Sequence, residues 1–121
     1  IVGEESCVGE RGTRNLTDDT GGTLEEMMEA IVDRYFQIDC AIFTPNADRL
    51  DHIRQMAADY KADAVIHYSL QFCQPYLMES LPVENTLKNE GLPALRIETD
   101  YSMQDAGQLK TRIEAFIEQL R

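Results

Sequence analysis

Residues 63–79 read DAVIHYSLQFCQPYLME, and the fold turns on how that stretch divides. ADAVIHYSL (62–70) is the strongest strand in the chain: Val65, Ile66, Tyr68 and Leu70 lie so close together that burial on both faces is expected, as in a parallel sheet. Pro75 suits the first turn of a helix, where its missing N–H is no loss. A strand therefore feeds directly into a helix, and Cys73 stands at the junction.

Downstream, the helical pattern from about Pro75 is predicted to break near Pro82 and resume to Glu90, with Gly91 as the stop and Pro93 preventing continuation. ALRIETD (94–100) reads as a further strand. Ser102 is placed to cap a last helix whose apolar stripe is Ala106, Leu109, Ile113, Phe116, Ile117 and Leu120. Upstream, Asn46 is placed to cap a helix lined by Leu50, Ile53, Met56, Ala57 and Tyr60. DCAIFTPN (39–46) is short, apolar and stopped by Pro45. TLEE (23–26) is a capping box, and Leu24, Met27, Met28, Ile31, Val32 and Tyr35 follow it at helical spacing to about Gln37. GERGTRNLTDDTGG (9–22) is loop by composition, and IVGEESCVG (1–9) reads as a strand end entering it. The order strand, helix, helix, strand, helix, strand, helix predicts an α/β fold. Its expected form is a three-layer Rossmann-like or flavodoxin-like domain, with a small parallel sheet of three to four strands flanked by helices, the fourth strand being CAIF (40–43) or lying outside this chain.

The chain has 121 residues, the size of one domain, and residues 1–121 are expected to form a single α/β unit. It begins at Ile1 in what reads as the middle of a longer polypeptide. Twenty-two carboxylates against eleven Lys and Arg give a net charge of −11, which argues against nucleic acid as a partner. No apolar run is long enough to span a membrane. Three cysteines without a secretory signal suggest a reduced, cytoplasmic setting rather than a disulfide scaffold.

In an open parallel sheet, ligands bind beyond the carboxyl ends of the strands. EESCVGERG (4–12), QFCQPY (71–76) and ETDYS (98–102) share that edge in the predicted fold, bringing together Glu4, Glu5, Cys7, Arg11, Cys73, Glu98, Asp100 and Tyr101. A sulfur at a helix start meets the positive end of the helix dipole, which favours thiolate, the form that binds metal or attacks carbon. A small buried hydrophobe is the plainer role for Cys73. Cys7 is a weaker candidate ligand at the same edge, and Cys40 is expected in the core. His67 is expected to be a satisfied buried histidine and His52 to be solvated. Glu98 and Asp100 suit acid–base work, helix capping or simple exposure. Arg11 and Arg14 suit phosphate contacts or a solvated loop pair. No Walker loop, dinucleotide fingerprint or nucleophile elbow is present.

FTPN (43–46), residues 48–80 and residues 83–120 together resemble the C-terminal part of the subunits of 2-hydroxyacyl-CoA dehydratases, a family that includes benzoyl-CoA reductase subunits. FCxPY (72–76), LRIETDYS (95–102) and GQLKTRIEAF (107–116) carry the resemblance in order, and EESCVGERG is similar less specifically. The resemblance implies a 4Fe–4S cluster held by three cysteines, of which the last matches Cys73, leaving one iron open to a substrate oxygen. It further implies a homologous second subunit and an ATP-driven activator protein that donates one electron. The electron reaches an acyl-CoA thioester, and the ketyl radical so formed expels hydroxide. A complete subunit is about three times this length, so the chain is expected to be a C-terminal domain that holds no stable cluster alone. Glu5, Arg11, Glu98 and Asp100 are the candidate substrate contacts. Benzoyl-CoA reductase chemistry, a cluster-free flavodoxin-like module and a metal shared by all three cysteines are the competing readings.

Overall fold

The computed structural model describes residues 1–7, 9–37, 39–43 and 45–121. Val8 and Thr44, inside two of the stretches quoted above, lie outside the described residues. The described residues form an α/β structure of four α-helices and a two-stranded parallel sheet. In chain order they are α1 (Leu24–Phe36), α2 (Ala47–Asp59), β1 (Val65–Leu70), α3 (Gln74–Asn89), β2 (Ala94–Thr99) and α4 (Ala106–Gln119), preceded by a 3-10 turn at Glu10–Gly12.

β1 and β2 pair in register from Val65 opposite Ala94 to Leu70 opposite Thr99. Backbone bonds close both ends of the ladder: Val65 N–H donates to the Pro93 carbonyl at 2.9 Å, and Gln71 N–H to the Thr99 carbonyl at 2.7 Å. Alternation sends His67 and Ser69, both buried, to the face under α3. Beyond the strand on that side lies the core of Ile53, Val83 and Leu87, with Leu50, Val65, Leu92 and Ala94 packed against it. Each of the three buried side chains, Ile53, Val83 and Leu87, contributes about 1.5–3 kcal/mol on burial. On the opposite face Ile97 is buried, and the Thr99 hydroxyl donates to the Asp105 carboxylate at 2.6 Å, tying the strand end to the head of α4.

Several sequence expectations are corrected. The sheet has two strands among the described residues, fewer than the three to four expected. Residues 1–5 pair with no strand, and Glu4 instead accepts a bond from Glu10 N–H through its carbonyl at 3.2 Å. CAIF is a turn: Cys40 O accepts from Phe43 N–H at 3.0 Å and from the Asn46 side-chain amide at 2.8 Å. An apolar segment becomes a strand only where a neighbour supplies hydrogen bonds, and here the turn supplies them locally. β1 is covered on one face only, since Ile66 and Tyr68 remain 43% and 54% exposed.

α3 runs unbroken through Pro82, because one lost N–H is offset by the stripe of Ser80, Val83 and Leu87 buried on either side. Asn46 and Asp105 occupy the N-cap positions of α2 and α4 without a side-chain cap bond, so Ser102 does not cap α4. The capping box of α1 forms as read, with Thr23 and Glu26 satisfying each other's backbone amides. Gly91 stops α3 at φ +74°, a conformation that costs glycine nothing.

Candidate functional site

The carboxyl end of β1 makes an abrupt turn. Cys73 N–H donates to the Leu70 carbonyl at 3.1 Å, closing a four-residue turn with Phe72 at φ +68°. A left-handed conformation at a bulky, non-glycine residue costs on the order of 1 kcal/mol, and such outliers gather at functional sites. Cys73 is the N-cap of α3, half-buried, and its side chain forms no capping bond. Its carbonyl accepts from Leu77 N–H at 3.1 Å, so both of its backbone polar groups are engaged while the sulfur is not used in capping.

One turn further, Tyr76 is held at three points. His67 Nε2 lies 3.2 Å from its carbonyl oxygen. A carbonyl only accepts, so the imidazole carries its proton on Nε2. The Arg49 guanidinium lies 4.8 Å over its ring. Its hydroxyl accepts from Arg11 Nη2 at 2.8 Å.

These contacts belong to a buried ionic clasp. Arg11 Nε donates to Glu5 Oε1 at 2.7 Å, and Nη2 bonds the same oxygen. Arg49, 2% exposed at its side chain, bridges Glu5 Oε2 at 3.2 Å and Glu79 Oε2 at 2.6 Å. Two guanidiniums and two carboxylates balance, which is the condition for keeping such charges out of water. The clasp unites the 4–14 loop, the first turn of α2 and the first turns of α3. Arg11 Nη1 also lies 3.8 Å from Cys7 Sγ, so one guanidinium touches the loop cysteine and the helix that begins at Cys73.

The clasp sets the titration of its members. Burial works against the Arg11 charge, but hydrogen bonding and attraction to Glu5 outweigh it and hold the group above the ordinary arginine range. Burial, and then the Glu5 charge, push the Tyr76 phenol up, against the pull of Arg11 and Arg49. Burial, and then the Arg49 charge, lower His67, so the neutral imidazole is the favoured form. His67 is thus the satisfied buried histidine that the strand alternation predicted.

Glu5 and Arg11, read as substrate contacts, have side chains only 10% and 7% exposed and are bonded to each other. Arg14 pairs with buried Asp39 and His52, so neither arginine of the loop presents its guanidinium to solvent as a phosphate contact would. His52, expected to be solvated, is drawn to the same Asp39 carboxylate. Glu98 and Asp100 stay exposed, and Asp100 Oδ1 accepts from Ser102 N–H at 2.6 Å. Hydrogen bonding to the Ser102 side chain, and then to its backbone N–H, lowers the Asp100 carboxyl below its usual range. Cys7 is exposed and Cys40 half-buried, and the three cysteines form no common metal site. Among the described residues no three His, Cys, Asp or Glu side chains converge to hold a metal ion. An open cleft of about 330 Å³ lies elsewhere, lined by Asp18, Glu26, Glu29, Asp33 and Arg34 among others, and its surplus of carboxylates suits no phosphorylated ligand.

Arg49, Tyr76 and Glu79 are the participants that spacing alone did not single out. The signal was present: Arg49 falls on the stripe of Ile53, Met56 and Tyr60, and Tyr76 on that of Ser80, Val83 and Leu87.

The family model described as 2-hydroxyglutaryl-CoA dehydratase, D-component, matches residues 1–120. The chain belongs to that family. It is 39% identical over 121 residues to the protein YjiM of Escherichia coli (strain K12), whose name states no substrate; the match covers 99% of this chain and 30% of that one. It is 30% identical over 121 residues to the (R)-phenyllactyl-CoA dehydratase beta subunit of Clostridium sporogenes, covering 99% and 31%. Over 72 residues it is 32% identical to the beta subunit of (R)-2-hydroxyglutaryl-CoA dehydratase of Acidaminococcus fermentans, covering 60% and 19%. The chain spans less than a third of the length of the two relatives that it matches over 121 residues. No described helix is long and apolar enough to cross a membrane.

For the 4Fe–4S cluster implied by the resemblance, the residues present fit a contribution of one ligand and not a whole site. Cys73 is a soft donor, half-buried at a helix start, with its sulfur outside the capping network. Among the described residues it belongs to no group of three His, Cys, Asp or Glu side chains that could hold a metal ion.

Proposed function

We propose that residues 1–121 are the C-terminal domain of a cytoplasmic 2-hydroxyacyl-CoA dehydratase subunit, and that Cys73 gives one thiolate to a 4Fe–4S cluster completed by other parts of the parent protein. The observation that carries this reading is the place of Cys73 in a D-component chain: the N-cap of α3, reached through a strained turn, with its sulfur uncommitted to capping. Such a cluster supplies one-electron transfer and Lewis acidity at an iron without a protein ligand.

Cys73 holds iron at the strand edge. Glu5, Arg11, Arg49 and Glu79 fasten that edge, and neutral His67 holds the Tyr76 carbonyl from below. Glu98 and Asp100, exposed at the end of β2, are the candidate contacts for an acyl-CoA substrate. In the parent, further strands beside β1 complete the three-layer sheet, a homologous subunit is the partner, and an ATP-driven activator supplies the electron.

The test is iron and acid-labile sulfide in the parent polypeptide, produced anaerobically with its partner subunit. About four irons per subunit are expected, lost in Cys73→Ala while the circular dichroism spectrum persists. Unchanged or absent iron in both proteins overturns the ligand role and leaves the cluster-free module as the working account.

A further inference from the structure

We infer that Tyr76 is a positioning residue: its hydroxyl, through Arg11, fixes the head of α3, and with it Cys73, against the loop that carries Cys7. Where the cluster is concerned this rests on the reading of Cys73 given above; the mechanical part stands on contacts alone.

Cys73 has no side-chain bond that would hold it to the helix end. Its backbone is set by the turn behind it and by the first turn of α3 ahead of it, through Leu70 and Leu77. That first turn is itself oriented by Tyr76, which is gripped from three directions. The carbonyl is held from β1 by His67, the ring from α2 by Arg49, and the hydroxyl from the 4–14 loop by Arg11. The first two contacts survive loss of the hydroxyl, whereas the third joins this turn to the Cys7 loop directly, without passing through Glu5.

Arg11 suits the task because its planar fork serves three partners at once. Nε and Nη2 bind Glu5, Nη2 also meets the Tyr76 hydroxyl, and Nη1 reaches the Cys7 sulfur. A lysine retains the charge opposite Glu5 but has one nitrogen and cannot span these partners. With Arg11 7% exposed and Glu5 10% exposed, the latch works out of water, where a hydrogen bond is strong and a lost one is felt.

The decisive experiment compares wild type, Tyr76→Phe and Arg11→Lys in the parent polypeptide. In the metal-free proteins, iodoacetamide modification of the Cys73 peptide is followed by mass spectrometry at one pH. Both variants are expected to alkylate Cys73 faster by roughly fivefold, the factor that one ordinary hydrogen bond confers, with unchanged circular dichroism. In the anaerobically loaded proteins, iron content is expected to stay at the wild-type level while the electron paramagnetic resonance spectrum of the reduced cluster shifts.

A lowered melting temperature with unchanged alkylation and an unchanged spectrum overturns the proposal, since a merely structural tyrosine gives that result. If wild type itself holds no iron, the ligand reading falls and the alkylation rates still decide the positioning role. If Tyr76→Phe fails to fold, Arg11→Lys carries the same comparison.

Discussion

The clasp at the strand edge and helix α1 make an instructive pair. α1 has every local advantage: a complete capping box, acidic residues in its first turn, an arginine in its last and a continuous apolar stripe. None of its residues is buried, and Met28, Val32 and Phe36 are 53%, 48% and 82% exposed. The clasp has the opposite character. Its members are charged or polar, come from three separated segments and lie out of water: Arg49 is 2% exposed. Local sequence signals therefore dictate where a helix forms, whereas burial depends on what the rest of the chain brings against it. A buried charge survives only because its partners arrive with it.

The sharpest way to break the contrast is to delete the centre of the clasp. Arg49→Ala strips Glu5 and Glu79 of their shared cation and opens space under Tyr76. Removing one partner of a buried ion pair costs about 3–5 kcal/mol, and urea denaturation is expected to show a loss of that size. A loss below about 1 kcal/mol, the value of a surface pair, would place the clasp effectively in solvent.

The pH dependence is the next effect. His67 has a folded pKa below its ordinary 6.5, so on acidification the unfolded chain takes up the proton first. Stability is whole above about 6.5 and falls as pH drops from there toward the lower folded value. Urea midpoints measured between pH 7.5 and 5 check this, and His67→Gln is expected to flatten that part of the profile. A midpoint that rises on acidification would contradict the neutral assignment.

The smallest effects belong to α1. Thr23→Ala is expected to weaken the helix itself by about 1 kcal/mol, seen as faster amide exchange at residues 26–30. The global unfolding midpoint should barely move, because the helix has no buried side chain whose release would couple it to the core. Met28→Lys on the exposed stripe should likewise stay within about 0.5 kcal/mol. A global loss from either substitution would mean that α1 is packed after all.

Much of this was legible in the sequence. The capping box at Thr23, the stop at Gly91, the alternation that buries His67 and the strand-to-helix junction at Cys73 are local, and short-range sterics and hydrogen bonding decide them. The helices were therefore readable, as was the α/β class. The strands were less so, because CAIF and β1 are both short apolar runs and only pairing separates a turn from a ladder. Pro82 misled for a related reason: the local penalty of proline was visible, but not the buried stripe that overrides it.

At the site, the sequence determined which residues occupy the strand edge: Cys73 after β1, Cys7 and Arg11 in the loop, Glu98 and Asp100 at the end of β2. Tertiary structure alone decided how they are used. It turned Arg11 and Glu5 inward, recruited Arg49 from α2 and Tyr76 and Glu79 from α3, and left Asp100 to close its own turn. The physical reason is range. Caps, turns and periodicity act over a few residues and are written consecutively, whereas a buried charge needs a partner that may lie dozens of residues away, and only the folded chain says which one it meets.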